Sequence, residues 1–169
     1  FWVGGTHENA HAVAALERRP WAAGIKVFVG SSTGSLLVED DAGVREILKN
    51  IRRRAAFHAE DEPMLRARKT LRVPGEPASH PVWRSPEVAV KATQRLSAIA
   101  RWTGARIHIL HISNAVEMPI LAEAKDHVSV EGTPHHLTLD EHAYEKLGTL
   151  VQMNPPVRDK DHREGIWKG

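Results

Sequence analysis

Short apolar runs closed by glycine, serine or proline alternate along the chain with stretches whose apolar residues recur at helical spacing. The runs predict five strands, Phe1–Val3, Ala22–Val29, Ala55–His58, Arg106–Ile112 and Val128–Gly132. Between them, Glu8–Arg18 carries Val13, Ala14 and Leu16 as a modest helix face. Glu39–Arg53 places Val44, Ile47, Leu48 and Ile51 at the i, i+3, i+4, i+7 positions of a helix buried on one side. The stretch 59–72 reads as helical after an acidic first turn, and 73–84, rich in Pro and Gly, as a loop. Ser85-Pro86-Glu87 supplies a capping hydroxyl, a proline at the first helical position and a first-turn acid. The helix it starts should bury Val88, Ala92, Leu96 and Ile99, run to Trp102 and stop at Gly104. Ser113-Asn114 should cap a helix with Val116, Ile120 and Leu121 inward. Asp140–Leu147 reads as a short helix, and Thr149–Met153 as an extended segment entering Asn154-Pro155-Pro156.

Five strand-then-helix units in a row predict an α/β fold with a parallel sheet covered by helices, either doubly wound or part of a barrel. In both, chemistry gathers at the carboxyl ends of the strands. The 169 residues suffice for one domain with a real core, and 41% hydrophobic with 26% charged residues is ordinary for a globular protein. No apolar run is long enough to span a bilayer, and Phe1 opens no basic signal peptide, so no membrane role is expected. The 23 Lys and Arg are nearly balanced by 21 Asp and Glu and are spread out, which argues against a nucleic-acid partner. Arg52–Arg54 reads as a solvated helix end. With no cysteine there is no disulfide framework and no thiolate metal site. A reducing, cytoplasmic location is the expectation, and any metal must be held by other ligands.

Lys26 is the first residue that demands an explanation, because it stands inside an apolar strand. A buried ammonium must be paired, neutralised or chemically changed, whereas an edge-strand lysine can snorkel to water. His58 and His111 end successive apolar strands. Two imidazoles converging from adjacent strands could hold one divalent cation, although either alone reads as a hydrogen-bonded structural histidine. His108, three residues before His111, should point to the opposite face and pack under a helix. His135 and His136 lie beside the same strand ends, where one of them must face away. The remaining histidines, His7, His11, His80, His127, His142 and His162, read as surface or loop residues.

Taken together and in order, GIKVFVGSSTG, FHAED, IHILHIS, EGTPHHL and QMNPPVRDKDHRE resemble the cyclic amidohydrolases of the metal-dependent amidohydrolase superfamily, dihydroorotases most, with hydantoinases, dihydropyrimidinases and allantoinases near. The resemblance implies a (β/α)8 TIM-type barrel, of which residues 1–169 would be the central part of a single domain, about strands three to seven. It also implies two divalent metal ions, zinc by expectation, at the barrel mouth. Lys26 matches a lysine that many of these enzymes carbamylate with CO2 and use to bridge the metals. His58 and His111 match ligands of the second metal, and Asn154 matches a residue that contacts the cyclic substrate. The implied activity is metal-assisted hydrolysis of a small-molecule ring amide, dihydroorotate to and from N-carbamoylaspartate in pyrimidine biosynthesis, by a protein expected to be a homo-oligomer.

The same resemblance places a His-x-His pair before Phe1 and an aspartate proton shuttle after Gly169. No catalytic base is therefore identifiable in this chain, and the isolated fragment is expected to be inactive. A non-catalytic scaffold that kept the barrel and lost its ligands is the rival reading. Retention of Lys26, His58 and His111 together argues against it. A doubly wound nucleotide-binding domain would want a phosphate-binding glycine spacing, which neither GGTHEN nor GSSTG provides.

Overall fold

A computed structural model describes residues 1–32 and 34–169. Five parallel strands, β1 (Trp2–Gly4), β2 (Gly24–Phe28), β3 (Ala55–His58), β4 (Ile107–Ile109) and β5 (Val128–Val130), lie side by side in chain order. A doubly wound sheet must reverse its strand order at a switch point, and this one does not. The architecture is the arc of a β/α barrel.

Alternation along the strands assigns the two faces. Ile25, Val27, Phe57, Ile107 and Ile109 are essentially fully buried. They join the apolar side chains of α2 (Asp41–Asn50) and α5 (Pro86–Thr103), among them Val44, Ile47, Leu48, Ala92, Leu96 and Ile99, in one core. On the other face a single register row runs Gly4, Lys26, Ala56, His108 and Ser129. His58 pairs with Phe28 one step further toward the carboxyl ends.

The helix ends follow local chemistry. Asp40 caps α2 through Gly43 N–H, and Asp61 caps α3 (Glu62–Arg68) through Met64 N–H. Arg52 turns back onto the carbonyls of Lys49, Asn50 and Ile51 at the end of α2, as a cation at a helix C-terminus should. Gly104 ends α5 at φ 70, a backbone conformation open to glycine at no steric cost. Ser85 occupies the N-cap position of α5, but its hydroxyl makes no capping bond; Pro86 and Glu87 begin the helix without it.

Several segments depart from the sequence pattern. The helix expected over Glu8–Arg18 shrinks to a 3-10 turn, Ala10–Ala12, and α1 (Val13–Leu16). Glu17 is instead buried, its carboxylate accepting from the backbone N–H groups of Arg52 and Arg53 at 2.6 and 3.2 Å. The expected loop 73–84 contains a 3-10 turn and α4 (His80–Trp83), whose second residue, Pro81, is compatible with a first helical turn. Thr149–Met153 is not extended: Gly148–Val151 is a 3-10 turn, with no neighbouring strand to pair with among the described residues. In α6 (Glu117–Glu123) Leu121 is inward as expected, but Val116, at the cap, is exposed, and the buried residue of the first turn is Glu117. Its carboxyl accepts from Thr93 Oγ1 at 2.6 Å and Asn114 Nδ2 at 2.7 Å, so a polar contact joins α5 to the loop after β4. Three further helices, α7 (Pro134–Thr138), α8 (Ala143–Leu147) and α9 (Lys160–Lys168), complete the chain. Among the described residues no helix is long and apolar enough to cross a membrane.

Two predictions concern stability. A Cβ added at Gly30 would meet the backbone carbonyl oxygen of Glu60 at 2.0 Å, whereas at Gly132 it would meet only the Leu137 side chain, at 3.3 Å. Gly30→Ala should therefore lower the urea midpoint by the equivalent of about 2 kcal/mol or more, and Gly132→Ala by under about 0.5. Equal midpoints for the two variants would contradict the contact. Burial pushes the Glu117 carboxyl up from 4.5 to about 7, against the hydrogen bond from Thr93 and the charge of Arg158. A raised carboxyl holds its proton in the folded chain after the unfolded chain has lost it, so stability falls as pH rises from about 4.5 to about 7. Glu117→Gln should gain on the wild type across that window, by up to about 3 kcal/mol. Parallel urea midpoints for the two proteins at pH 5, 6, 7 and 8 would exclude the shift.

Candidate metal centre

β2 sets the first side chain of the site. With Ile25 and Val27 on the core face, Lys26 must project from the other, where it is half-buried beside Phe28 with its Nζ 4.6 Å from the ring centroid. Burial pushes its pKa down from 10.5 to about 8, and the charge of Glu131 acts in the opposite direction. No carboxylate forms an ion pair with it among the described residues. Partial desolvation without a counter-ion thus loosens the hold of Lys26 on its proton.

His58 closes β3 and is 4% exposed. Its Nε2 lies 2.7 Å from Glu60 Oε2, and its Nδ1 lies 3.2 Å from Nε2 of His111. Glu60 is fully buried, and Arg84 grips both of its oxygens, Nε on Oε1 at 3.1 Å and Nη2 on Oε2. Burial alone would raise the Glu60 carboxyl; the hydrogen bond with His58 and the Arg84 charge outweigh it and hold the group at about 2. An ionised carboxylate can only accept, so His58 Nε2 carries a proton and donates it to Glu60, which leaves Nδ1 as the nitrogen that faces His111. This is the carboxylate–imidazole arrangement that orients metal-binding histidines.

His111 lies two residues beyond β4, at φ 42, and meets the His58 ring edge-on with centroids 4.9 Å apart. Burial, followed by the charges of His58, Lys26 and His136, pushes it down from 6.5 to about 3, so it is neutral at physiological pH. Its Nδ1 is buried without a hydrogen-bond partner. Two imidazole nitrogens on one tetrahedral zinc, each about 2.0–2.1 Å from it, would be about 3.3 Å apart. The observed 3.2 Å fits that separation, and also an N–H···N hydrogen bond in the absence of an ion. The donor set therefore fits part of a coordination shell. Among the described residues no group of three or more His, Asp or Glu side chains could hold a metal ion.

The structure corrects the expectation for His108. It shares a register row with Lys26 and Ser129, on the site face, and bonds Ser129 Oγ through Nδ1 at 2.8 Å, with Nε2 3.3 Å from Glu131 Oε2. Parity failed because β4 ends at Ile109 and the left-handed residue His111 turns the chain, returning both histidines to the same side. His136 uses both ring nitrogens structurally, Nδ1 on Thr133 Oγ1 at 2.7 Å and Nε2 on the Pro155 carbonyl at 2.9 Å; burial pushes it down to about 4. Asn154 is exposed at the mouth, joined to Pro155 by a cis peptide bond. Its Nδ2 donates to Ser31 Oγ at 3.2 Å, and its Oδ1 lies 3.2 Å from Nε2 of His80, a half-buried mouth residue rather than a plain surface one. Arg84, Ser31 and the role of Glu60 were missed in the sequence. A carboxylate two residues past a candidate ligand was the signal for Glu60; Arg84, at the end of a loop-like stretch, gave none.

No family model matches the chain. It is 33% identical over 94 residues to allantoinases of Salmonella paratyphi B and Salmonella newport, a match covering 54% of this chain and 20% of each relative. Among solved structures, an L-hydantoinase (dihydropyrimidinase) from Arthrobacter aurescens superposes with a TM-score of 0.89 at 23% identity, over 98% of this chain and 39% of that one. A dihydropyrimidinase from Brevibacillus agri gives 0.85 at 24% identity, over 98% and 38%. A D-hydantoinase gives 0.82 at 26% identity, over 96% and 37%. The chain spans a fifth to two fifths of the length of these relatives. The fold is that of the β/α barrels of these neighbours, represented by an arc of five strands.

Proposed function

We propose that the protein carrying this chain hydrolyses a ring amide with divalent metal, and that Lys26, His58 and His111 form one bank of the metal centre. The observation that carries this reading is the buried meeting of two imidazoles, ring nitrogens 3.2 Å apart, on the same face as a lysine depressed to about 8. A hydrogen-bonded structural pair would not require an unpaired lysine beside it.

His58 and His111 would hold one ion through Nδ1 and Nε2, with Glu60 fixing the His58 tautomer and Arg84 holding Glu60 in place. At pH 7 a lysine of pKa about 8 is about one-tenth free amine. The Nζ lone pair can then attack CO2, forming an N–C bond and releasing one proton, to give a carbamate whose negative charge suits a bridge between cations. When bound, divalent metal would supply Lewis-acid polarisation of the ring carbonyl and an activated water. Asn154, exposed at the mouth, would contact the ring.

Substrate class divides the readings. The sequence motifs favour dihydroorotate, whereas the named relatives and structural neighbours are allantoinases, hydantoinases and dihydropyrimidinases. They favour an allantoin- or hydantoin-type ring, and we adopt that as the leading substrate class.

Two measurements test the proposal. The protein carrying this chain, assayed on allantoin, hydantoin, dihydrouracil and dihydroorotate, should open one of the first three rings fastest; preference for dihydroorotate would reverse the substrate assignment. Lys26→Ala should lower metal bound per chain and activity together, activity by at least about 100-fold. Full metal content in that variant would exclude the bridging role.

A further inference from the structure

Ser31 lies just beyond β2 at φ 56, where a non-glycine residue is uncommon. Its backbone N–H donates to the Glu62 carboxylate at 2.8 Å. Its hydroxyl oxygen receives two donors, Arg84 Nη2 at 2.5 Å and Asn154 Nδ2 at 3.2 Å. A hydroxyl oxygen has two acceptor lone pairs, and both are used. The same Arg84 grips Glu60, and Glu60 bonds His58. A continuous chain of bonds therefore runs from His58 through Glu60, Arg84 and Ser31 to Asn154. Arg158 steadies its middle by donating from Nη1 to the Arg84 carbonyl at 2.9 Å, and Nε2 of His80 flanks Asn154 at the far end.

We propose that Ser31 is a positioning residue that aims the Asn154 carboxamide at the ring of a cyclic-amide substrate, in register with the imidazole pair. This deepens the proposed function and rests on it. Asn154 is exposed and sits on a segment that belongs to no helix or strand, so an unanchored carboxamide would sample several rotamers. Ser31 ties it to the one buried ion pair that also sets the His58 tautomer. The two halves of the chain are separable. Removing the Ser31 hydroxyl takes away the partner of Asn154 Nδ2, with only His80 left at Oδ1, but leaves Arg84 on Glu60 and Glu60 on His58, so metal binding should survive while substrate positioning suffers.

The test uses the protein that carries this chain, with whichever of allantoin, hydantoin, dihydrouracil or dihydroorotate it hydrolyses. Ser31→Ala should raise KM by about tenfold, the loss of one positioning hydrogen bond, with metal per chain unchanged. Ser31→Gly removes the same hydroxyl and relaxes the positive φ, so a matching effect cannot come from backbone strain. Combined with Asn154→Ala, Ser31→Gly should add nothing to the single Asn154 change, because both remove one interaction. In NMR spectra of the metal-loaded protein, the Asn154 side-chain amide should shift in Ser31→Gly while the His58 ring resonances hold. Additive losses, a fall in bound metal, or an unmoved Asn154 amide would overturn the assignment. Should the wild type hydrolyse none of the four rings, the functional reading fails by itself, and the Asn154 amide still decides whether Ser31 positions it.

Discussion

Glu60 is the residue on which the site depends, because it is a fully buried carboxylate that stays ionised. An isolated anion there would be costly, and the structure meets that cost twice, with the two-pronged grip of Arg84 and the N–H of His58. The consequence reaches both ways. Toward His111, Glu60 fixes the His58 nitrogen that donates to it and so the one that faces the second imidazole. Toward the mouth, it holds Arg84 where that side chain can also reach Ser31. Breaking a buried pair by removing one partner strands the other, so neither residue is free to vary alone.

What brings these side chains together is the register of a parallel sheet. Lys26, Ala56, His108 and Ser129 share a row, and Phe28 faces His58 one step on. Ile25, Val27, Phe57, Ile107 and Ile109 fill the opposite face. A one-residue slip of β2 would send Lys26 into the apolar core and Val27 onto the site face, so the packing that stabilises the arc also enforces the position of the lysine. The small side chain of Ala56 between Lys26 and His108 leaves space above the row for the longer side chains.

Much of this was legible in the sequence because it is periodic. The strand Ala55–His58 and the end of α5 at Gly104 fall where expected, and the chain order of the strands follows from the repeating strand-helix pattern. The misreadings cluster where the period is interrupted. Simple alternation puts His108 on the wrong face because β4 ends two residues before His111, and no hydropathy pattern announces a left-handed residue. Thr149–Met153 looked extended by composition, but a strand exists only where a neighbour accepts its hydrogen bonds. Glu117 broke the helix pattern by burying a carboxyl in place of Val116, which only the partners Thr93 and Asn114, distant or polar in sequence, make tolerable. The motif order pointed to the cyclic amidohydrolases.

The electrostatics of the site have one direction. Burial moves His111 to about 3 and Lys26 to about 8, so two groups that could carry positive charge are biased toward giving it up. A pocket that disfavours imidazolium and ammonium is not thereby hostile to a metal ion, because neutral nitrogen donors replace part of the hydration shell that burial removes. Neutral donors cannot, however, balance a divalent charge. The carboxylate of Glu60 supplies negative charge one bond beyond His58, and its own charge is already shared with Arg84. Under the proposed carbamylation, Lys26 would add a further negative charge. The same desolvation that makes the ammonium unfavourable frees the amine for that reaction, so the burial of Lys26 and its proposed chemistry have a single physical cause.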